Sequence, residues 1–229
     1  MFKIAVISDI HSNLQALSRV VGLLGGVDLV VFAGDIVGYG GSPREVIVEL
    51  RKLKPLKTVL GNHDYACIHR DFSFFNDLAI AALNWTVRTL REEDLEYISG
   101  IPLKEVFDAG GYRIYVTHGS PFNNLYDYVY FYDDADWRRF FEYTCSDIII
   151  LGHTHIPMMI SNDDKYIINP GSVGQPRDGR PSASYCILTI SGKVSVEFKR
   201  VDYDIDESAK AILDNGLPEF LAKRLYRGI

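Results

Sequence analysis

Cysteine is scarce in this chain. Cys67, Cys145 and Cys186 are odd in number, and no two share a CxxC spacing. That excludes a disulfide scaffold or a thiolate metal ribbon. The three read as buried or free thiols of a reducing cytoplasm, and none sits in a motif that activates a thiolate nucleophile. A basic excess is missing too: 24 Lys and Arg against 30 Asp and Glu leave a net charge of −6. Such a balance lacks the footprint of a protein that grips long DNA or RNA. No apolar run approaches the roughly 20 residues that cross a bilayer. The sequence enters an apolar strand at once, without the charged and then apolar segments of an export signal. A cytoplasmic protein with no membrane partner is expected. Repeats, low-complexity tracts and linkers are lacking as well, so one domain over residues 1–229 is expected.

The segments that are present alternate in type. Lys3–Ser8, Asp28–Ala33 and Leu56–Leu60 are short apolar runs that predict buried strands. Between them, Ser12 and Gln15 form a capping box before a helical face of Leu14, Leu17, Val20, Val21 and Leu24, which Gly25-Gly26 ends. Ser42-Pro43-Arg44-Glu45 opens a second helix with a cap, a first-turn proline and a capping glutamate. Helices are predicted at Phe75–Leu90, Arg91–Ile98, around Asp134–Glu142 and from near Asp206. Further strands are predicted near Leu103–Phe107, Arg113–Thr117 and Asp147–Leu151, with a β-rich stretch from Lys165 to Arg200 interrupted by a loop at Asn169–Pro181. This order implies a parallel sheet with helices packed on it.

The polar residues that carry chemistry stand at the ends of these strands. Asp9 and His11 follow the first, Asp35 the second, and Asn62, His63 and Asp64 the third. His118 follows a later strand, and His153 and His155 another. Groups just beyond the carboxyl ends of parallel strands converge on one crevice. Imidazole with carboxylate suits borderline divalent ions such as Mn, Fe or Zn. Asp9 and His11, one residue apart on extended backbone, would turn toward the same ion, as would His153 and His155. A lone buried histidine is more often hydrogen-bonded core than ligand. Here five of six histidines fall in strand-end motifs, and only His69 reads as an ordinary loop or surface residue.

The ordered set Asp-x-His, Gly-Asp, Gly-Asn-His-Asp, His and Gly-His-x-His resembles the calcineurin-like metallophosphoesterase superfamily. The run Asn169-Pro-Gly-Ser-Val-Gly-Gln-Pro-Arg177 is further similar to its small bacterial and archaeal phosphodiesterase-like branch. The resemblance implies an α/β fold, a four-layer αββα sandwich of two mixed sheets flanked by helices. It implies two divalent metal ions, Mn first, with Fe, Zn, Ni or Mg as alternatives. Asp9, His11 and His155 would bind one, Asn62, His118 and His153 the other, and Asp35 would bridge them. Ions roughly 3.5–4 Å apart would share a water or hydroxide that attacks phosphorus in line. His63 would protonate the leaving alkoxide or steady phosphoryl charge, and Asp64 would orient His63 through its other ring nitrogen.

The expected function is hydrolysis of phosphate esters, most of all small phosphodiesters of nucleotide type. A phosphomonoesterase or protein phosphatase is the enzyme rival, although such phosphatases usually have longer chains. A trafficking scaffold of the same fold is the non-enzymatic one, and retention of His63 argues against it. Arg177 would either hold a phosphate oxygen, alongside Asn62 on the substrate side, or pair structurally with Asp178 or a nearby carboxylate. Two aromatic-rich segments, Tyr65–Ile98 and Phe122–Phe141, leave from ligand-bearing loops and form either cap segments over the crevice or a small core of their own. Alternation puts Tyr126, Tyr128 and Tyr130 on one face of an extended segment, with Phe131 on the other. Such rings would stack a nucleobase.

Overall fold

The structure, a computed structural model, describes residues 1–131 and 137–229. Apolar runs and amphipathic segments alternate early, as β1 (Phe2–Ile7), α1 (Leu14–Val21), β2 (Leu29–Phe32), α2 (Pro43–Leu50) and β3 (Leu56–Thr58). Three helices follow: α3 (Asn62–His69), α4 (Asp77–Thr89) and α5 (Glu92–Ser99). Next come β4 (Lys104–Ala109), β5 (Tyr112–Thr117), α6 (Trp137–Thr144), β6 (Ile148–Ile150), β7 (Pro157–Asn162) and β8 (Lys165–Pro170). The hairpin β9 (Ala183–Ser191) and β10 (Lys193–Val201) leads to α7 (Ile205–Asp214), α8 (Glu219–Lys223) and a 3₁₀ turn at Arg224–Tyr226.

Two mixed five-stranded sheets result, ordered β10-β9-β1-β2-β3 and β4-β5-β6-β8-β7. In the first, β1, β2 and β3 run parallel. In the second, β5, β6 and β8 run parallel. Antiparallel β9 and β10 close one flank of the first sheet, and antiparallel β4 and β7 close both flanks of the second. The central strands β1, β2 and β6 are apolar almost without alternation because both their faces are covered, whereas the edge strands β4 and β10 alternate. In β1, Ile4 and Val6 face the other sheet, whereas Ala5 and Ile7 face the helices. In β6, Ile148 and Ile150 face inward, and Ile149 meets Phe140 and Trp137 of α6. The layers are therefore helix, sheet, sheet, helix, as the resemblance implied. No helix among the described residues is long and apolar enough to cross a membrane.

Several local expectations need correction. Ser12 does not cap α1: it has a left-handed φ of 54°, and Asn13 is the cap, accepting from the Ala16 amide at 3.1 Å. The helix stops at Gly22, before Gly25-Gly26. Ser42 precedes α2 without a side-chain capping bond. The segment after β3 is helical from Asn62, where a loop was expected, because Asp64 in its first turn reaches back to the Gly61 amide at 3.1 Å. Strand β7 and helix α8 were not anticipated. The predicted helix around Asp134–Glu142 is seen from Trp137, and its first residues lie outside the described ones, as does Tyr132.

The α1 contact tests this layering. Leu17 is fully buried between α1 and the first sheet, whereas Val48 on α2 is 52% exposed. Leu17→Ala is expected to lower the unfolding free energy by about 2–5 kcal/mol. Val48→Ala should stay within about 0.5 kcal/mol of the parent. Equilibrium urea denaturation of both variants measures the contrast.

Candidate metal centre

The carboxyl ends of β1, β2, β3, β5 and β6 all open on one edge of the paired sheets, and the loops there carry the acidic and imidazole groups. Asp9, His11, Asp35 and His155 form one buried set, and Asp35, His118 and His153 another. Within each set one ligand atom per residue lies within 4.8 Å of every other. His11 Nε2 stands 3.4 Å from Asp35 Oδ2 and 3.1 Å from His155 Nε2. His155 Nε2 stands 3.2 Å from Asp9 Oδ1, and His118 Nε2 stands 3.3 Å from Asp35 Oδ2. Asn62 joins the second set, its Oδ1 3.1 Å from His118 Nε2.

Hydrogen bonding on the outer side of the rings decides which nitrogens face inward. His11 Nδ1 donates to Val37 O at 3.1 Å, His118 Nδ1 to Ala33 O at 2.7 Å, and His155 Nδ1 to Gln175 O at 2.5 Å. A backbone carbonyl can only accept, so each Nδ1 carries a proton and each Nε2 faces inward, with a lone pair on the neutral His11 and His155. Both oxygens of Asp9 and Nε2 of His153 are buried without a hydrogen-bond partner. Inward lone pairs, two carboxylates and orphaned acceptors make a set that lacks only positive charge. The residues present fit divalent cations, with nitrogen and oxygen donors and no thiolate.

Titration behaviour agrees with crowding. Burial works to raise Asp9 and Asp35, yet the facing imidazoles hold both below the usual carboxylate range. Burial depresses His11 and His155, and takes His153 to about 3. Burial would depress His118 also, but the Asp35 carboxylate lifts it to about 9.

Backbone strain concentrates at the same residues. Asp9, His11, Asp35, His153 and His155 all have left-handed φ, between 47° and 68°. The extended geometry expected for the Asp9/His11 and His153/His155 pairs is therefore not what turns them inward. Left-handed non-glycine residues persist only when their surroundings fix them. Asp64 supplies part of that fixation. Its carboxylate accepts from the amides of Asp35 (3.0 Å), Ile36 (2.9 Å), Val37 (3.1 Å) and Gly61 (3.1 Å). Burial, and then the charge of Asp35, push the Asp64 carboxyl up to about 7, and the amides pull the other way. The expectation that Asp64 orients His63 is thus corrected: its oxygens are occupied by the β2 loop, and His63 Nδ1 has no partner. Gly61 is required by close approach, since a Cβ there would collide with the Asp35 carboxylate.

A cleft of about 370 Å³ opens over this cluster, lined by Asn62, His63, Phe74, Phe75, Tyr128, His153, Tyr39 and Arg177 among others. Burial depresses His63 to about 4 against the pull of Asp35, leaving it neutral. Its amide donates to Asp35 Oδ1 at 2.9 Å. Arg177 does not pair with Asp178, which bonds Arg200 instead. Arg177 Nη2 reaches Gln175 Oε1 at 3.2 Å, and its Nε is buried and unpartnered. Tyr128 stacks on His153 with centroids 4.0 Å apart, and Tyr130 lies parallel to Tyr128 at 6.1 Å. Tyr126 leaves that row to meet Phe74 at 4.8 Å. Tyr65 is not at the cleft; it packs on His69, an exposed helix end.

Sequence reasoning missed the parts played by four residues. Tyr39 sits 4.5 Å from the His63 ring and 4.8 Å from the His11 ring. An aromatic residue enclosed in Gly38-Tyr39-Gly40-Gly41 was the available signal. Ser172 Oγ donates to Asp9 O at 2.7 Å, and Asn169 Nδ2 to Gly152 O at 2.6 Å, so the Asn169–Arg177 run clamps two ligand loops. Arg224 lies 5.6 Å from the Tyr39 centroid, and no motif announced it.

Comparison with known proteins agrees with this geometry. Residues 2–193 match the calcineurin-like phosphoesterase superfamily domain. An uncharacterized protein of Methanocaldococcus jannaschii is 37% identical, with 98% of each chain covered. Phosphodiesterase YfcE of Escherichia coli is 27% identical over 82% of this chain and 88% of its own. The crystal structure of a metallophosphoesterase from Sphaerobacter thermophilus superposes with a TM-score of 0.86 at 38% identity, covering 100% of this chain and 99% of its own. The chain belongs to the calcineurin-like phosphoesterase superfamily and is a metal-dependent phosphoesterase.

Proposed function

We propose that residues 1–229 form one metallophosphoesterase domain, a dinuclear phosphodiesterase for nucleotide-type and other small phosphodiesters. The observation that supports this most is the pair of buried ligand sets sharing Asp35 beneath a cleft edged by aromatic rings and a guanidinium. Asp9, His11 and His155 would hold one divalent ion, Asn62, His118 and His153 the other, and Asp35 both. Nitrogen and oxygen donors without thiolate favour Mn²⁺, with Fe, Zn, Ni or Mg as alternatives. Divalent ions there supply Lewis acidity and an activated water.

The remaining roles belong to the chain. Asn62 turns its side chain toward both His118 and the cleft, where it also meets substrate. Neutral His63 presents its ring to the cleft, held by Tyr39, His11 and Phe75 at centroid distances of 4.5–4.8 Å. In that position it donates to, or shares a proton with, the departing oxygen. Asp64 acts through the Asp35 loop and not on the substrate. Arg177 offers a fork for phosphate oxygens. Phosphodiesterase YfcE supports a diester over a monoester, and the open His63 disfavours a scaffold. All three cysteines are free, with Cys67 and Cys186 buried, which suits a reducing cytoplasm.

Metal removal is the first test. Chelation should abolish hydrolysis of bis-p-nitrophenyl phosphate and Mn²⁺ should restore it, with Asp35→Ala losing both bound metal and turnover; full rate in the stripped protein would overturn the reading. His63→Ala is expected to keep its metal, measured by plasma emission, and to lose roughly 10²–10⁴ in kcat. Loss of an ion in that variant would make His63 a ligand instead. Substrate class is read from kcat/KM on a dinucleoside polyphosphate against glycerol phosphate. Stacking at about 1–3 kcal/mol per base predicts at least a several-fold preference for the nucleotide. Equal values would remove the nucleobase.

A further inference from the structure

The last part of the chain, past the residues that match the family domain, packs against Tyr39, one of the residues that line the cleft. Ala209 and Ile212 of α7, Leu221 of α8 and Leu225 of the 3₁₀ turn make that contact. That packing delivers Arg224, whose guanidinium carbon lies 5.6 Å from the Tyr39 centroid. The Arg177 guanidinium carbon lies 5.8 Å from the same centroid. Two fixed cations therefore share one aromatic ring at the edge of the candidate metal centre.

Among the described residues no Asp or Glu side chain pairs with Arg177 or Arg224. Arg224 Nε donates to Ile229 O at 2.5 Å, and Arg177 spends one nitrogen on Gln175 and leaves Nε buried and unpartnered. Burial and the charge of Arg177 lower Arg224 to about 10, which still leaves it charged at neutral pH. Holding two like charges together in a partly buried place is unfavourable unless an anion joins them.

Their order relative to the metal ligands is informative. Arg177 lines the cleft together with His63 and His155. Arg224 is not in that lining and reaches its edge through the Tyr39 ring, which Arg177 also faces. Moving outward, the sequence is metal ligands, Arg177, Arg224.

We propose that Arg224 and Arg177 form an anion subsite beside the metal centre, one that takes a second, non-reacting phosphoryl group of the substrate. The substrate class is then one in which a phosphoryl group neighbours the scissile one, as in phosphoanhydrides and nucleoside polyphosphates. This rests on the phosphoesterase reading above, and deepens it by asking for a second phosphate. Tyr39 is a positioning residue here: it spaces the two guanidiniums and touches His63.

The test compares full-length, Mn²⁺-loaded wild type, Arg224→Gln and Arg224→Lys on a dinucleoside tetraphosphate and on bis-p-nitrophenyl phosphate, which has no second phosphoryl group. The ratio of kcat/KM for the first substrate over the second should fall about 10- to 100-fold in Arg224→Gln, the range for a lost charged hydrogen bond. Arg224→Lys, which keeps charge and stem but not the fork, should fall between. A parallel calorimetric titration of metal-free protein with inorganic diphosphate and inorganic phosphate reads the subsite without catalysis. Wild type should bind diphosphate more tightly, and Arg224→Gln should lose that margin. A ratio unchanged in Arg224→Gln, or equal diphosphate binding by wild type and variant, overturns the subsite. Failure of all three proteins to hydrolyse either ester would instead overturn the phosphoesterase reading, and the diphosphate titration would still decide the subsite. Thermal melting of each variant shows whether the α7–α8 packing has survived.

Discussion

Two buried carboxylates and four imidazoles that turn ring nitrogens on one another cannot be left so without compensation. Asp9 and Asp35 are essentially inaccessible, and the Nδ1 protons of His11, His118 and His155 are committed to carbonyls behind them. Only His118 is held near a protonated state, by Asp35. Everything at this edge of the sandwich is arranged around that deficit of positive charge. The carbonyls fix ring orientation, and the strained loops keep the donor atoms close. A protein that bound no cation would gain nothing from the arrangement, since each left-handed residue costs about 1–3 kcal/mol.

The fold supports that strain by distributing it. Parallel strands bring five loops to one edge, but strand ends alone would not hold five ligand residues at positive φ. Asp64 ties three consecutive amides of the β2 loop to the start of α3. Ser172 and Asn169, from the end of β8 and the loop after it, bond the backbone of the β1 and β6 loops. The Asp64 and Asn169 clamps each join two strand ends of one sheet, whereas the Ser172 bond crosses from the second sheet to the β1 loop of the first.

Much of this was legible before any coordinates. The apolar runs of β1, β2 and β6 announce strands covered on both faces, and the histidines at their ends announce the site. The resemblance adds the ligand grouping and the two-sheet architecture. What was not legible has physical reasons. Asp64 reads as a partner for the adjacent His63 because sequence proximity suggests contact. In the helix that begins at Asn62, however, its carboxylate turns back toward amides donated by the β2 loop. The cap of α1 was misassigned because Ser12 is committed to a left-handed turn beside the ligands. Arg224 is invisible to motif reasoning because it meets Tyr39 only through the packing of the C-terminal helices.

That last case separates two kinds of contribution. The ligand loops end within the stretch that matches the family, and their residues are fixed by the demands of the cation. The groups that face outward come from elsewhere: Phe74 and Phe75 from before α4 and Tyr128 from the segment after β5 line the cleft, and Arg224 reaches its edge at Tyr39 from the end of the chain. None of them is a candidate ligand, although Tyr128 stacks on His153 and Phe75 meets His63. Tyr39 links the two groups. It lies in the β2 loop against His11 and His63, and it carries Arg177 and Arg224 on its other contacts. A charge bound at the guanidiniums is therefore separated by a single ring from the imidazole proposed to act on the leaving group. Binding energy gained at the outer phosphate can be spent on positioning the inner one, which is how contacts remote from the reacting atoms raise turnover as well as affinity.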